Sequence, residues 1–294
     1  MISIIVSSIN TEQNILFKKN IEGTIGVPYE LLIHDNRETK WGLCKIYNHY
    51  ARISKYDILC FFHEDISFET INWGNIIIDF FQQTPKAGVI GFAGATVKTK
   101  NISGWGTYRK TCRKNIWQQS KDGCIKKMFY NPFNEEFSQV AVIDGLALIT
   151  NKKIWEKHPF DEVLFSGFHL YDLDFSMQVA QNYNNYVCHT IKIKHFSGGS
   201  YTREWLFESR KFNQKWEKIL PFSVVSYPDK IIEECENFSV YQLDKGEIKH
   251  SWEERSLVSI FKQQIKSPWK VNTIPYKLNI FKHVLKAGYK RMLH

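Results

Sequence analysis

Three side chains that can bind a metal ion, those of His63, Glu64 and Asp65, directly follow the buried-looking run 56–62. A strand that ends this way delivers polar groups to the carboxyl edge of a sheet, where open α/β sheets bind ligands. Carboxylate and imidazole groups together suit a divalent cation, and a divalent cation suits a diphosphate. Because such tripeptides are common, the alternative interpretation is an ordinary polar turn after a strand.

The elements that would position this tripeptide alternate between strand and helix. Apolar runs separated by helical spacing predict a parallel sheet with crossover helices, and each early strand ends in polar residues on the same side. The predicted strands are Ile2–Val6, Tyr29–Ile33, Asp57–Phe62, Gly88–Phe92, Val140–Ile143, Leu146–Ile149 and Tyr186–Lys194. The first predicted helix follows the turn Ser7–Asn10 and ends near Asn20. The other predicted helices span Gly42–Arg52, Ile71–Gln83, Leu170–Gln181 and Trp205–Leu220.

Residues 94–138 differ from the rest, being rich in Lys, Gly, Asn and aromatic side chains without a long apolar period. We interpret them as an insertion of loops and hairpins over the site, because loops of this length are usually functional. The chain lacks a GxGxxG or Walker loop, which disfavours dinucleotide dehydrogenases and P-loop enzymes.

Composition and charge narrow the possible classes of protein. Hydrophobic residues make up 43% and aromatic residues 15% of the 294 residues, enough for a packed core. The six scattered cysteines form no CxxC pair, which indicates reduced thiols in a cytosolic protein. No apolar stretch approaches the ~20 residues of a membrane span, and the first residues are typical of a strand and not of a signal peptide.

The positive charge is concentrated at the end of the chain. Residues 251–294 contain nine Lys and Arg against two Glu, whereas residues 1–250 contain 30 basic against 28 acidic side chains. The tail also places Leu278, Phe281 and Tyr289 on one helical face, with lysines around the remainder. Such a helix can lie on an anionic membrane surface, or its apolar stripe can pack on the protein itself or on a second subunit.

Several short motifs follow one another along the chain: Ile4–Ser7, Leu32–Asn36, 42–48, Leu59–Asp65, Ile143–Gly145, Phe160–Glu162, His169–Asp174 and Lys194–Ser197. In this order and spacing, they resemble the motifs of the GT-A glycosyltransferases, in the family 2-like group of bacterial enzymes. The resemblance covers roughly residues 1–218 and departs from the usual DxD at His63-Glu64-Asp65.

The resemblance implies a Mn²⁺ or Mg²⁺ ion that bridges the diphosphate of a UDP- or GDP-sugar. Asp65 is the first expected ligand, and His195 is the second because the family has a metal-binding histidine there. His63 is either a third ligand or a contact to the donor sugar or ribose, and Glu64 is assigned to donor binding. A mixed carboxylate and imidazole set favours Mn²⁺.

The resemblance also implies roles for acidic and basic residues further along. Asp172 matches the acidic position of the family's ED-type motif and is the expected general base of an inverting transfer. We expect the amino end of its helix to keep this carboxylate deprotonated. Asp35 is expected to receive the nucleoside base, and Ser7 to approach the ribose or base. Arg203, in a mobile loop after Gly199, is expected to close onto the diphosphate.

These inferences predict a GT-A domain over 1–220 and a basic, largely helical extension over 221–294. The expected enzyme is a hexosyl- or N-acetylhexosaminyl-transferase of bacterial surface polysaccharide or lipopolysaccharide synthesis, cytoplasmic and peripheral at the inner face of the membrane. Its acceptor would be a saccharide or a lipid-linked glycan, and no nucleic-acid partner is expected.

Two alternatives stay open at this point. A sugar nucleotidyltransferase has a similar layout but usually carries a Gly-rich basic loop after the first strand, which Ser7–Asn10 does not provide. A non-catalytic glycan-binding protein on a transferase fold is the other alternative, because a histidine replaces the first acidic residue of the DxD motif.

Overall fold

The computed structural model describes residues 1–120, 122–197 and 202–240. Within these residues an α/β fold is present, as predicted. In chain order the elements are β1 (Ile2–Ser8), α1 (Thr11–Thr24), β2 (Tyr29–Asp35), α2 (Asn36–Thr39), α3 (Leu43–Ile53), β3 (Ile58–His63), β4 (Ile66–Phe68), α4 (Trp73–Gln83), β5 (Ala87–Gly91), β6 (Ala93–Ala95), β7 (Val97–Lys98), β8 (Cys112–Gln119), β9 (Ile125–Tyr130), β10 (Phe137–Val140), β11 (Val142–Ile143), β12 (Ala147–Asn151), α5 (Lys152–Lys157), α6 (Tyr171–Ala180), β13 (Asn184–Cys188), β14 (Ile193–His195), α7 (Arg203–Trp216) and β15 (Phe222–Ser223), with a 3₁₀ turn at Arg109–Thr111 and a helical segment over 229–240.

The central sheet has seven strands in the order β10-β13-β5-β12-β3-β1-β2. Strands β2, β1, β3, β5 and β13 run in one direction, while β12 and β10 run in the other. The sheet is therefore mixed, with most strands parallel. Residues 58–62 of β3 are all buried, as expected for a central strand covered on both faces.

Helices cover both faces of this sheet. One face packs against α1 and α4, whose buried aromatic side chains include Phe17 and Trp73. The other face packs against α3, α6 and α7, through residues such as Tyr47, Phe175 and Phe212. This layering explains the helical spacing in the sequence, since each helix buries one apolar stripe.

A second sheet, in the order β11-β6-β8-β14-β4 with β9 beside β8, lies next to the carboxyl end of β3. The segment 94–138 does contain the expected hairpin, β8–β9, but its strand β8 is also internal to this second sheet. Part of the segment is thus architectural. Its lack of apolar periodicity reflects the exposed edge strand β9, in which Ile125 and Phe129 are about half exposed.

The prediction of one strand over Tyr186–Lys194 is wrong. The chain forms two strands there, β13 in the central sheet and β14 in the second sheet. The Asn115 side-chain amide holds the bend between them by donating to the carbonyls of Cys188 and Ile191, at 3.2 and 2.8 Å. The sequence pattern does not reveal such a bend, because β13 and β14 both alternate buried with half-buried residues.

The described part of the predicted C-terminal extension packs back onto the segment after β6. Strand β15 pairs with β7, and Glu236 accepts hydrogen bonds from the backbone of Lys100 and Asn101 at 2.6 and 2.9 Å. The basic helices predicted in the tail lie outside the described residues. Among the described residues, no helix is long and apolar enough to cross a membrane.

Candidate active site

Asp65 lies in the turn that joins the two sheets, between β3 and β4. His63 ends β3, and His195 pairs with Ile66 across the antiparallel strands β14 and β4. This register places His195 one position from Asp65, although 130 residues separate them in the sequence. The ligand atoms of His63, Asp65 and His195 all lie within 4.8 Å of one another.

Hydrogen bonds on the outer side of each imidazole leave the inner nitrogen facing Asp65. His63 Nε2 lies 2.8 Å from the Tyr171 hydroxyl, which itself donates to the Gly145 carbonyl at 2.9 Å. The hydroxyl proton is thereby used, so His63 Nε2 donates and Nδ1 keeps its lone pair. That Nδ1 is 3.9 Å from Asp65 Oδ1, and His195 Nε2 is 3.5 Å from the same oxygen.

The protonation states of these residues suit a cation. Burial lowers the pKa of His63, which favours the neutral ring that a metal ligand requires. Burial opposes ionisation of Asp65, but hydrogen bonds to His195 and Ser197 and the charge of His195 outweigh it and hold its pKa below the usual value. A carboxylate and two imidazoles are a donor set that fits Mn²⁺ well and Mg²⁺ less well.

Glu64 points away from this cluster to the turn between β1 and α1. Its carboxylate accepts from the Ser8 hydroxyl at 2.6 Å and from the backbone of Ile9 and Asn10 at 3.1 and 3.2 Å. Glu64 thus stabilises the turn that leads into α1, and its expected role in donor binding stays a prediction.

Asp172 lies in the first turn of α6 and directly follows Tyr171, the residue that contacts His63. Its carboxylate accepts from the Gly145 backbone at 2.9 Å. Burial, and next the charge of Asp144, raise the pKa of Asp172 to about 7. The expectation that the amino end of the helix keeps this carboxyl group ionised is therefore wrong, because burial and Asp144 outweigh the helix amides.

The turn Asp144-Gly145 brings these groups together. A side chain at position 145 would collide with the ring and hydroxyl of Tyr171, so glycine is required for the close approach of α6. Leu170, just before α6, adopts a left-handed backbone conformation with φ of 64°, unusual for a branched residue and typical of functional sites.

Asp174, two residues after Asp172, belongs to a different cluster. It is 1% exposed and accepts from Trp216 Nε1 at 2.8 Å, Gln178 Nε2 at 2.7 Å and Lys215 Nζ at 2.9 Å. Lys215 also binds Asp161 at 2.8 Å. These contacts join α6 to α7, so Asp174 has a structural role.

The residues expected to bind the donor also lie at this edge of the sheet. Ser7 at the end of β1 pairs with His34 of β2 on one side and with His63 of β3 on the other. Asp35 follows on β2 and is exposed, with its carboxylate bound to the Arg37 side chain and backbone. The hydrogen bonds from Arg37 lower the pKa of Asp35 to about 2.

Arg203 is not in a loop but is the first residue of α7. Thr202 caps this helix by accepting from the Trp205 backbone at 3.1 Å and lies 3.3 Å from His169 Nε2. The start of α7 is therefore tied to the segment that precedes Asp172. Residues 198–201 lie outside the described residues.

Four residues of the site had no assigned role in the sequence analysis. They come from four separate segments of the chain. Tyr171 contacts His63, Gln118 and Ser197 contact His195, and the charge of Asp144 raises the pKa of Asp172. Asp144 and Tyr171 stand in or beside the motifs that carry the family resemblance. Gln118 carries no such signal, because only the pairing of β8 with β14 brings it to His195.

The mixed sheet, with its polar edge and helices on both faces, defines a GT-A fold, and the site at that edge is one suited to glycosyl transfer. The model of the family described as "Glycosyltransferase like family" matches residues 2–214. The chain belongs to this family and is a glycosyltransferase. Family membership does not support the nucleotidyltransferase and the non-catalytic alternatives.

One solved structure, TarS 1–349 of S. aureus, agrees with this fold at a TM-score of 0.50 and is 12% identical, with 97% of this chain and 80% of that chain covered. Two others match less closely. GalNAc-T7, in a structure with UDP, GalNAc and Mn²⁺, is 8% identical over 71% of this chain and 47% of its own, at a TM-score of 0.49. A197 from STIV is 16% identical over 67% and 86%, at 0.40. No curated protein sequence matches the chain.

Proposed function

We propose that this glycosyltransferase moves a sugar from a UDP- or GDP-sugar to a saccharide acceptor, with inversion, and that it requires Mn²⁺ or Mg²⁺ held by His63, Asp65 and His195. The observation that carries this proposal is the convergence of these three side chains within 4.8 Å at the sheet edge that also holds Asp172. Each imidazole directs one ring nitrogen toward the same carboxylate oxygen, an arrangement that could hold a metal ion.

When bound, the cation would offset the negative charge that develops on the diphosphate leaving group. The protein's own part is to orient the acceptor and take its proton. Asp172 would accept the proton of the attacking hydroxyl, and a base with a pKa of about 7 suits this task near neutral pH. An inverting transfer needs one base on the acceptor side, and the Asp172 carboxyl group is proposed to be that base.

For donor binding we propose Ser7 and Asp35 at the ribose and base, and Arg203 at the diphosphate. Ser7 supports this role by its place between β2 and β3 at the edge. Arg203 supports it by its position at the start of α7, where a guanidinium and the helix amino end both favour an anion. Glu64 is proposed only as an indirect contributor, through the turn after β1.

The acceptor that fits the sequence best is a lipid-linked or other saccharide of a bacterial surface polysaccharide or lipopolysaccharide. The basic tail 251–294 supports a peripheral position at the inner face of the membrane, since an anionic surface attracts a segment with nine basic and only two acidic residues. The near-neutral first 250 residues make nucleic acid an unsuitable partner.

Titration of UDP, GDP and their sugars into the protein, with and without Mn²⁺, tests the site. We expect one nucleotide to bind with metal dependence, and we expect Asp65→Asn to lose that dependence. Asp79→Asn, the same chemical change on the exposed face of α4, is the matched control and should bind as wild type. Equal metal-dependent binding by Asp65→Asn would overturn the metal assignment.

Inversion is tested separately, on the product. Proton NMR of the newly formed glycosidic linkage should show the anomeric configuration opposite to that of the donor. Retention of the donor configuration would remove Asp172 as the base of a direct displacement, whatever the result of the metal titration.

A further inference from the structure

Gln118 of β8 lies beside the proposed metal ligand His195. The two residues are partners in the parallel pairing of β8 with β14. Gln118 Oε1 is 3.1 Å from His195 Nδ1, the ring nitrogen that faces away from Asp65. A residue of the 94–138 segment thus contacts His195 at Nδ1, while Nε2 of the same ring faces Asp65.

The orientation of the Gln118 amide is determined by its surroundings. Its nitrogen faces the backbone carbonyls of His195 at 3.1 Å, Gln119 at 3.2 Å and Ser197. Carbonyl oxygens only accept hydrogen bonds, so the amide nitrogen must point toward them. The amide oxygen must then point toward His195 Nδ1.

This orientation fixes the proton on the imidazole. Because Gln118 Oε1 can only accept, His195 Nδ1 must carry a hydrogen and donate it. The opposite nitrogen, Nε2, is then the one able to offer a lone pair, and it faces Asp65 Oδ1 at 3.5 Å. Metal-binding histidines commonly have such an acceptor behind them, and it fixes both tautomer and ring orientation.

We infer that Gln118 is a positioning residue for the metal site, one that holds His195 with Nδ1 protonated and Nε2 directed to the cation. This inference rests on the proposed metal site. It also gives the β8–β9 hairpin a role in the chemistry, because the pairing of β8 with β14 inside the second sheet is what brings Gln118 to His195. If Gln118 were purely structural, its amide nitrogen would hold the backbone of 195–197, and replacing it would not change which nitrogen of His195 carries the proton.

The first test is the affinity for Mn²⁺ alone, measured by electron paramagnetic resonance of free and bound metal. We expect Gln118→Leu to bind Mn²⁺ about 10–100-fold more weakly, the usual effect of losing a partner of this kind. Gln118→Glu keeps an acceptor oxygen for Nδ1 but loses the donor to the three carbonyls, so its affinity should lie between those of Gln118→Leu and wild type. Gln119→Leu is the matched control: the same change one residue on, on the opposite face of β8, where the side-chain amide bonds the exposed Gly123 carbonyl at 3.5 Å.

The second test reads the tautomer directly in the wild-type protein. Nitrogen NMR of ¹⁵N-histidine protein, with and without Mg²⁺, should show His195 protonated on Nδ1; the signal is assigned by its absence from His195→Ala. A neutral His195 with its proton on Nε2 alone in the wild type would overturn the inference. In Gln118→Leu we expect the Nδ1 proton to be lost or mixed between the two nitrogens.

The two proposals fail in distinguishable ways. If His195→Ala and Asp65→Asn bind Mn²⁺ as tightly as wild type, the metal site is wrong and the inference about Gln118 falls with it. If those variants lose Mn²⁺ but Gln118→Leu, folded and with wild-type thermal stability, does not, only the role of Gln118 is refuted.

Discussion

Asp172 and Asp174 stand two residues apart in the same helical turn, yet they occupy opposite kinds of surroundings. Asp174 is surrounded by donors from α6 and α7, namely Lys215, Trp216 and Gln178. Asp172 accepts only from backbone amides in these contacts, those of Gly145 and of its own helical turn, and a second carboxyl group, Asp144, lies nearby. The comparison teaches that a carboxylate whose bonding capacity is filled holds the fold, whereas one left under-solvated beside a like charge is available for proton transfer.

The largest expected difference is in turnover. Asp172→Asn should lower kcat by about 10²–10⁴-fold, the usual contribution of a general base, because an amide cannot accept the acceptor's proton. Binding of Mn²⁺ and nucleotide should stay at wild-type level. Steady-state kinetics and titration calorimetry measure these two quantities. Full turnover in Asp172→Asn would break the comparison, because both aspartates would then be structural.

The reverse pattern is expected for Asp174→Asn. This change should reduce the free energy of unfolding by about 2–4 kcal/mol, since it removes a buried charge that Lys215 and Trp216 are placed to bind. The value lies below that of a fully buried pair because Lys215 is a quarter exposed and keeps Asp161. Urea unfolding measures the loss. Turnover below the melting range should remain near wild type, and a chemical defect at unchanged stability would contradict the structural role.

The pH dependence of turnover sharpens the comparison further. Since the pKa of Asp172 is raised to about 7, the carboxyl group is protonated below that pH and cannot act as base. Turnover should therefore rise as pH increases through about 7. Asp144→Asn removes the negative charge that raises this pKa, so the midpoint should move to lower pH. A pH–rate profile for wild type and Asp144→Asn measures the shift. An unchanged midpoint would show that Asp144 does not raise the pKa of Asp172.

The smallest effect is expected at Glu64, which is next to Asp65 but serves the turn after β1. Glu64→Gln keeps part of the hydrogen bonding to Ser8, Ile9 and Asn10 and should cost about 1 kcal/mol of stability. Its Mn²⁺ affinity should equal that of wild type, while Asp65→Asn should lose most of its affinity. A large loss of metal or nucleotide binding in Glu64→Gln would restore the donor-binding role first expected for it.

Local sequence was sufficient for much of the fold. The apolar runs that became β1, β2, β3 and β5, and the helical spacing of α3 and α4, were predicted to within a few residues. The patterns failed where tertiary contacts bend the chain. Asn115, which is distant in the sequence, holds the bend that divides Tyr186–Lys194 into β13 and β14. The start of α7 at Arg203 depends on the cap provided by Thr202, which the apolar spacing of the helix does not indicate.

What the sequence by itself determined is the set of chemical groups and the strand ends that carry them: His63 and Asp65 after an apolar run, Asp172 in a helix start, and the family to which these motifs belong. Only the tertiary structure decided their partners. The registers that place His195 beside Ile66 and Gln118 beside His195, and the close approach of Tyr171 at Gly145, join segments far apart in the chain. Protonation and metal affinity depend on distance and burial, which arise only when these segments pack together.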